Sequence, residues 1–145
     1  MNLSNELQIG KAAEHLVCFD LIMQGYNAFL ADQGLPFDII VEKGGTLKTV
    51  QVKATAKMIQ YQKHKRTNLY AFGTRASKGA NRARKQDVDF FAFVALDIKV
   101  IAYFPSKSLI GENGFIKQTL DFKTHRCQYD KEQGKYIENY GVFKF

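Results

Sequence analysis

Residues 37–54 read FDIIVEKGGTLKTVQVKA, and this stretch decides the fold. Two strand-like runs, 37–43 and 46–54, flank Gly44-Gly45. Paired glycines suit the two-residue hairpin turn that needs positive φ at both central positions. That turn sets Phe37 opposite Val52, Ile39 opposite Val50 and Val41 opposite Lys48, a largely apolar face that belongs in a core. On the other face it sets Asp38 opposite Gln51 and Ile40 opposite Thr49, with Lys53 on the diagonal. Opposed residues have Cβ atoms only about 5 Å apart, so Asp38, Gln51 and Lys53 form one cluster.

Upstream, residues 5–24 read as a helix. Asn5 and Gln8 have capping-box spacing and Gly25 is a natural stop. Leu7, Gly10, Val17 and Leu21 fall on one stripe, flanked by Ile9, Ala13 and Leu16. Glu14 shares that stripe, where a carboxylate is costly unless a cation compensates it. Residues 27–31 read as a short extended piece. Beyond the hairpin, 69–73 reads as a strand and 75–85 as a polar loop. Residues 88–96 and 99–104 form a second hairpin turning at Asp97-Ile98, its first strand apolar on both faces and therefore central. Pro105-Ser106 ends it. Residues 108–145 suggest short strands or a short helix.

At 145 residues the chain is expected to be one domain, with a core over about 5–105 and an extension over about 106–145. Its 46% hydrophobic and 24% charged residues exclude a disordered protein. Two cysteines, Cys18 and Cys127, exclude a disulfide scaffold, and with His15, His64 and His125 they lack the spacing of zinc ligands. Cys18 reads as a small core residue. No apolar run reaches a membrane span and no signal peptide is evident, so the expectation is a cytoplasmic protein without a membrane partner.

The net charge of +7 is segregated. Residues 43–86 hold twelve Lys/Arg and no acid, while the rest of the chain holds nine basic and fourteen acidic residues. Such a field attracts a polyanion, most simply nucleic acid; a merely solvating basic face is the plainer alternative. Lys57, Lys63, Lys65 and Arg66 have the character of phosphate clamps. Arg75, Lys78, Asn81, Arg82, Arg84 and Lys85 offer side chains that read base edges. Tyr61 and Tyr70 read as packing residues, and His64 as a surface residue near phosphate. Glu42 reads as a solvated strand end, and Asp87 and Asp89 as partners for Arg84 and Lys85.

Oxygen donors converging from a helix and two strands suit a hard divalent cation, and a lysine beside them suits phosphate. Together they suit phosphodiester hydrolysis. Glu14, then Pro36-Phe37-Asp38, then Gln51-Val52-Lys53 resembles the signature of the PD-(D/E)XK nuclease superfamily, over about two-thirds of the chain. The resemblance implies an α/β (α+β) fold with a restriction-endonuclease-like core, a central mixed β-sheet flanked by helices. It implies a catalytic set of Glu14, Asp38, Gln51 and Lys53. It also implies Mg2+ (with Mn2+ able to substitute) on Asp38, Gln51, Val52 and Glu14. Gln51 stands where the family usually has an acid; its carbonyl oxygen can reach a metal but brings no charge. This variant is similar to small intron-encoded homing endonucleases more than to Holliday-junction resolvases. The expectation is therefore a sequence-specific, magnesium-dependent endonuclease for double-stranded DNA. The alternatives are a Holliday-junction resolvase and a non-catalytic DNA-binding module. One cluster cuts one strand, which predicts a homodimer or homotetramer, with the aromatic tail (Phe115, Phe122, Tyr129, Tyr136, Tyr140, Phe143, Phe145) either an interface or part of its own core.

Overall fold

In the computed structural model the hairpin turns as its glycines require, with φ of +58° at Gly44 and +84° at Gly45. The structure describes residues 5–58, 70–74, 88–112, 119–122, 129–130, 135–136 and 142–145. The hairpin strands are β2 (Ile39–Lys43) and β3 (Thr46–Thr55), in the expected register, with Ile39 opposite Val50 and Val41 opposite Lys48. Glu42 does more than end a strand in water. Its carboxylate accepts from the Gly45 N–H at 2.6 Å and from Asn27 Nδ2 at 2.7 Å, which stitches the turn to β1 (Asn27–Leu30). Those two bonds hold the Glu42 carboxyl below its ordinary range.

The sheet continues from β3 to β5 (Phe90–Ala95), which runs parallel to it, and to β6 (Val100–Pro105), which returns antiparallel. The order β1-β2-β3-β5-β6 makes a mixed five-stranded sheet. β5 is buried along its whole length, as a strand apolar on both faces and paired on both edges must be. The β5–β6 register centres on Asp97-Ile98 as expected, and Lys99 takes the left-handed turn position with φ +53°. A short 3-10 helix, Ser106–Leu109, follows Pro105.

Helix α1 (Glu6–Met23) covers one face. Asn5 caps it by accepting the Gln8 N–H at 2.8 Å, and Gly25 ends it at φ +93°. Ala13, Val17 and Leu21 are fully buried against Ile39, Val41, Val50, Val52, Ala92 and Val94. Leu7, expected on that stripe, is 85% exposed. The first turn of α1 stands over an open cleft rather than over the sheet, so Leu7 lines that cleft instead of the core. Cys18 packs at the rim of this core, its thiol toward the Ala28 carbonyl.

The opposite face is filled by Phe91, Phe93 and Ala102 together with Tyr70 and Phe72 of β4 (Tyr70–Gly73). β4 does not join the main sheet; it pairs with β7 (Thr119–Phe122). Tyr70 is a packing residue, as expected: it is fully buried, and its hydroxyl donates to Asp97 Oδ2 at 2.9 Å. The tail supplies a third pair, β8 (Tyr129–Asp130) with β9 (Lys135–Tyr136). Phe143 belongs to the first core, between Tyr26, Phe90 and Tyr103, and Phe145 packs against it. For these two the own-core reading of the aromatic tail holds. Phe115, Tyr140 and the side chains of Phe122, Tyr129 and Tyr136 lie outside what the structure describes. Among the described residues no helix is long and apolar enough to cross a membrane.

Candidate active site

β2 begins at Ile39, so Asp38 sits where the chain enters the sheet. Its backbone N–H donates to the Val50 carbonyl at 2.9 Å, although Val50 already faces Ile39; the register slips by one residue. The slip turns Phe37 away from Val52. Phe37 packs against the far-face cluster that holds Phe91 and Phe93, whereas Val52 lies in the helix-side core, which corrects the expected pairing of the two. It also swings the Asp38 carboxylate into the place of a ladder partner. Oδ2 accepts the Val52 N–H and the Gln51 Nε2–H, each at 2.7 Å. Both bonds fall on that one oxygen, which leaves Oδ1 to face another partner.

Gln51 and Lys53 share one face of β3 by strict alternation, both half-buried. The N–H and C=O of a strand residue leave on the same side, so the Val52 carbonyl faces the gap that Asp38 fills. Burial pushes the Asp38 carboxyl up, and the nearby Glu14 charge pushes it further; the Val52 N–H, Lys53 and Lys11 act the other way. Burial lowers the Lys53 ammonium from its ordinary range, opposed by the Asp38 charge. Glu14 is half-buried on α1 and lines, with Asp38, a cleft of about 500 Å³ under the first two turns of the helix. The structure thus brings together Glu14, Asp38, Gln51, Val52 and Lys53.

Lys11 is not among the residues that the sequence singles out. Its Nζ pairs with Glu14 Oε2 at 2.8 Å, and it lines the same cleft. The signal for it is present: a carboxylate on an apolar stripe needs a cation, and positions i and i+3 of a helix are neighbours. Asp89 has a partner on β3 as well. Its carboxylate accepts from the Thr49 N–H at 2.9 Å and from Thr49 Oγ1 at 3.1 Å, a partner the sequence does not suggest; the expected partners Arg84 and Lys85 lie outside the described residues. The Asp89 N–H returns a bond to Thr49, so the pair extends the β3–β5 junction by one residue. Asp87 lies outside the described residues. Lys57 is exposed just past β3. Lys63, His64, Lys65, Arg66, Arg75, Lys78, Asn81, Arg82, Arg84 and Lys85 also lie outside the described residues, as does Tyr61.

Asp38 offers a carboxylate oxygen, Glu14 a second carboxylate, Gln51 an amide oxygen and Val52 a carbonyl. This all-oxygen set fits a hard divalent cation, and the Asp38 and Glu14 charges repel each other across it. The described residues contain no group of three or more Asp, Glu, His or Cys able to hold a metal, so any ion here relies on neutral oxygens as well.

A mixed sheet with α1 on one face and this cluster at the end of β3 defines a restriction-endonuclease-like core. The sequence profile of the PD-(D/E)XK endonuclease family matches residues 4–142, so the chain belongs to that family. Among solved structures, a bacterial homing endonuclease, I-Ssp6803I, superposes with a TM-score of 0.66 at 17% identity, covering 93% of this chain and 88% of that one. A Holliday junction resolvase, Hjc of the archaeal hyperthermophile Archaeoglobus fulgidus, is more distant, with a TM-score of 0.47 at 15% identity over 79% of this chain and 84% of that one. No curated protein matches the chain significantly. The expected fold class, and an endonuclease as the kind of enzyme, are both borne out.

Proposed function

We propose that this endonuclease cuts double-stranded DNA at a specific sequence, in the manner of a homing enzyme, and depends on Mg2+. One observation carries the reading: the Asp38 carboxylate, bonded to Gln51 and Val52, faces the Glu14 cleft with Lys53 beside it. Asp38, Glu14, the Gln51 amide oxygen and the Val52 carbonyl would hold the ion. When bound, it supplies charge stabilisation of the phosphoryl oxygens and lowers the pKa of water. As the ammonium, Lys53 neutralises the scissile phosphate and orients the attacking water through its N–H donors; its lowered affinity for a proton makes the neutral amine, able to take the proton of that water, easier to reach. Gln51 holds Asp38 in place through Nε2 while leaving its own oxygen for the ion.

The test is incubation of the full chain with a random-site duplex library, with plasmid and with a synthetic four-way junction, in Mg2+ or EDTA. Cutting of linear duplex in Mg2+ alone is expected. Preference for the junction would favour a resolvase, and tight binding without any cutting a non-catalytic module.

The basic stretch supplies a second expected outcome. If Lys57, Lys63, Lys65 and Arg66 clamp four phosphates, DNA affinity falls with salt, with a log–log slope of about −0.9 for each. Replacing all four by alanine should flatten the slope by about 3.6 in anisotropy titrations. Arg82 and Arg84 are assigned to base edges, and replacing either should relax sequence preference at one position by about 1–3 kcal/mol. An unchanged slope and unchanged preference would place the DNA surface elsewhere.

Two strands must be cut and each chain carries one cluster, so the active species is a homodimer or homotetramer on a pseudo-palindromic site. Light scattering at micromolar concentration is expected to give twice or four times the 16.5 kDa chain mass. A monomer both free and on DNA, together with double-strand cutting, would contradict this.

A further inference from the structure

One charged group in the cleft has no task in the reading above. Lys11 lies one helical turn before Glu14, and its Nζ is 2.8 Å from Glu14 Oε2. The same ammonium acts electrostatically on Asp38, and Asp38 on it, so its field spans both carboxylates. These two carboxylates repel each other across the cleft. Lys11 supplies a positive charge on the Glu14 side, as Lys53 does on the Asp38 side, and so offsets that repulsion when no cation is bound.

We propose that Lys11 is the resident counter-ion of this site, holding Glu14 in the free protein and giving it up when a divalent cation binds. The inference rests on the metal-dependent reading above. Two features make the exchange feasible. The Lys11 side chain is 46% exposed, against 21% for Glu14, so its ammonium can return to water on a flexible four-carbon stem. A divalent ion placed against the Glu14 carboxylate would repel that ammonium, so the two compete for one oxygen. Lys11 is thus a positioning residue. It keeps the Glu14 carboxylate aimed into the cleft until the ion arrives, and it sets how tightly the ion is held.

The experiment is Mn2+ binding to the full chain without DNA, read as free Mn2+ by electron paramagnetic resonance, alongside a circular-dichroism melt to confirm folding. Lys11→Met should bind Mn2+ about threefold to tenfold more tightly than the wild type, the range expected for removing one competing charge from a part-exposed site. Lys11→Arg, which keeps the charge, should stay within about twofold of the wild type. Asp38→Asn should bind at least about tenfold more weakly, because it removes a charged ligand. The inference is overturned if Lys11→Met binds Mn2+ no more tightly than the wild type while Asp38→Asn has lost it. It is equally overturned if Lys11→Arg gains as much as Lys11→Met. Wild-type affinity in Asp38→Asn would instead remove the metal site itself, and the inference with it. Lys11→Gln serves in place of Lys11→Met should the latter melt early.

Discussion

Asp38→Asn and Lys53→Met, made singly, are expected to lower DNA cleavage by about a thousandfold or more while leaving the protein folded and more stable. The loss of cleavage follows from the proposed roles: one variant removes a charged metal ligand and the other the cation beside the scissile phosphate. The gain in stability follows from burial. The half-buried Asp38 carboxyl is pushed up because ionising it away from water is unfavourable. An asparagine side chain at this position keeps an oxygen to accept the Val52 N–H without that charge. Lys53 is pushed down for the same reason, so the folded chain holds the Lys53 proton less well than the unfolded chain does. Removing either charge should stabilise by about 0.5–2 kcal/mol in denaturant melts.

The pH dependence has a definite sign. A raised Asp38 pKa means the native state binds its proton more tightly than the unfolded state. Asp38 therefore opposes folding above its native pKa and ceases to do so as pH falls through the native and then the unfolded value. The advantage of Asp38→Asn should be full above the native Asp38 pKa and vanish as pH falls below the unfolded one. A folded Lys53→Met protein that cuts at the wild-type rate would remove the assignment, whatever its stability.

How much of this site the sequence discloses depends on the range of each interaction. The β2–β3 register was legible because a two-glycine turn leaves one pairing and alternation does the rest; Gln51 and Lys53 then had to share a face. The slip at Asp38 was not legible. It depends on Val50 accepting a bond outside the regular ladder and on the Asp38 carboxylate replacing a main-chain partner, and no pattern of period two encodes that. Leu7 kept the helical period but overhangs the cleft, since periodicity gives a direction and not the extent of the surface beneath it. Asp89 meets Thr49 across forty residues of chain, a contact that no local pattern announces. Lys11 could have been read from the sequence, because Glu14 asked for a cation and the helix puts one a turn away.

The tail of the chain carries the second large effect. Phe143→Ala should destabilise the protein by about 3–5 kcal/mol, a large part of the total stability of an ordinary domain. The ring is 2% exposed and meets Phe90, Tyr26 and Tyr103 edge-on at 4.7, 5.2 and 5.4 Å between centroids. Its main chain is held as firmly as its ring. The Phe143 N–H donates to Gln24 Oε1 at 2.8 Å, and its carbonyl accepts from the Tyr26 hydroxyl at 3.2 Å. Gln24 in turn donates to Asp20, whose carboxylate also takes the Tyr103 hydroxyl. Burial and that Asp20 bond push the Tyr103 hydroxyl far above its ordinary range, so this hydroxyl keeps its proton and goes on donating it at any working pH. This network also bears on the active site. Asp20 and Gln24 lie at the C-terminal end of α1, the helix that carries Glu14, so the tail fixes one end of the element that sets the Glu14–Asp38 spacing. The melting temperature of Phe143→Ala should fall on the order of 10–20 °C. Cleavage at a temperature where the variant is still folded should fall as well, whereas Lys144→Ala, at an exposed neighbouring position, should change neither. A Phe143→Ala protein that melts within about 2 °C of the wild type would mean that the tail is not part of this core.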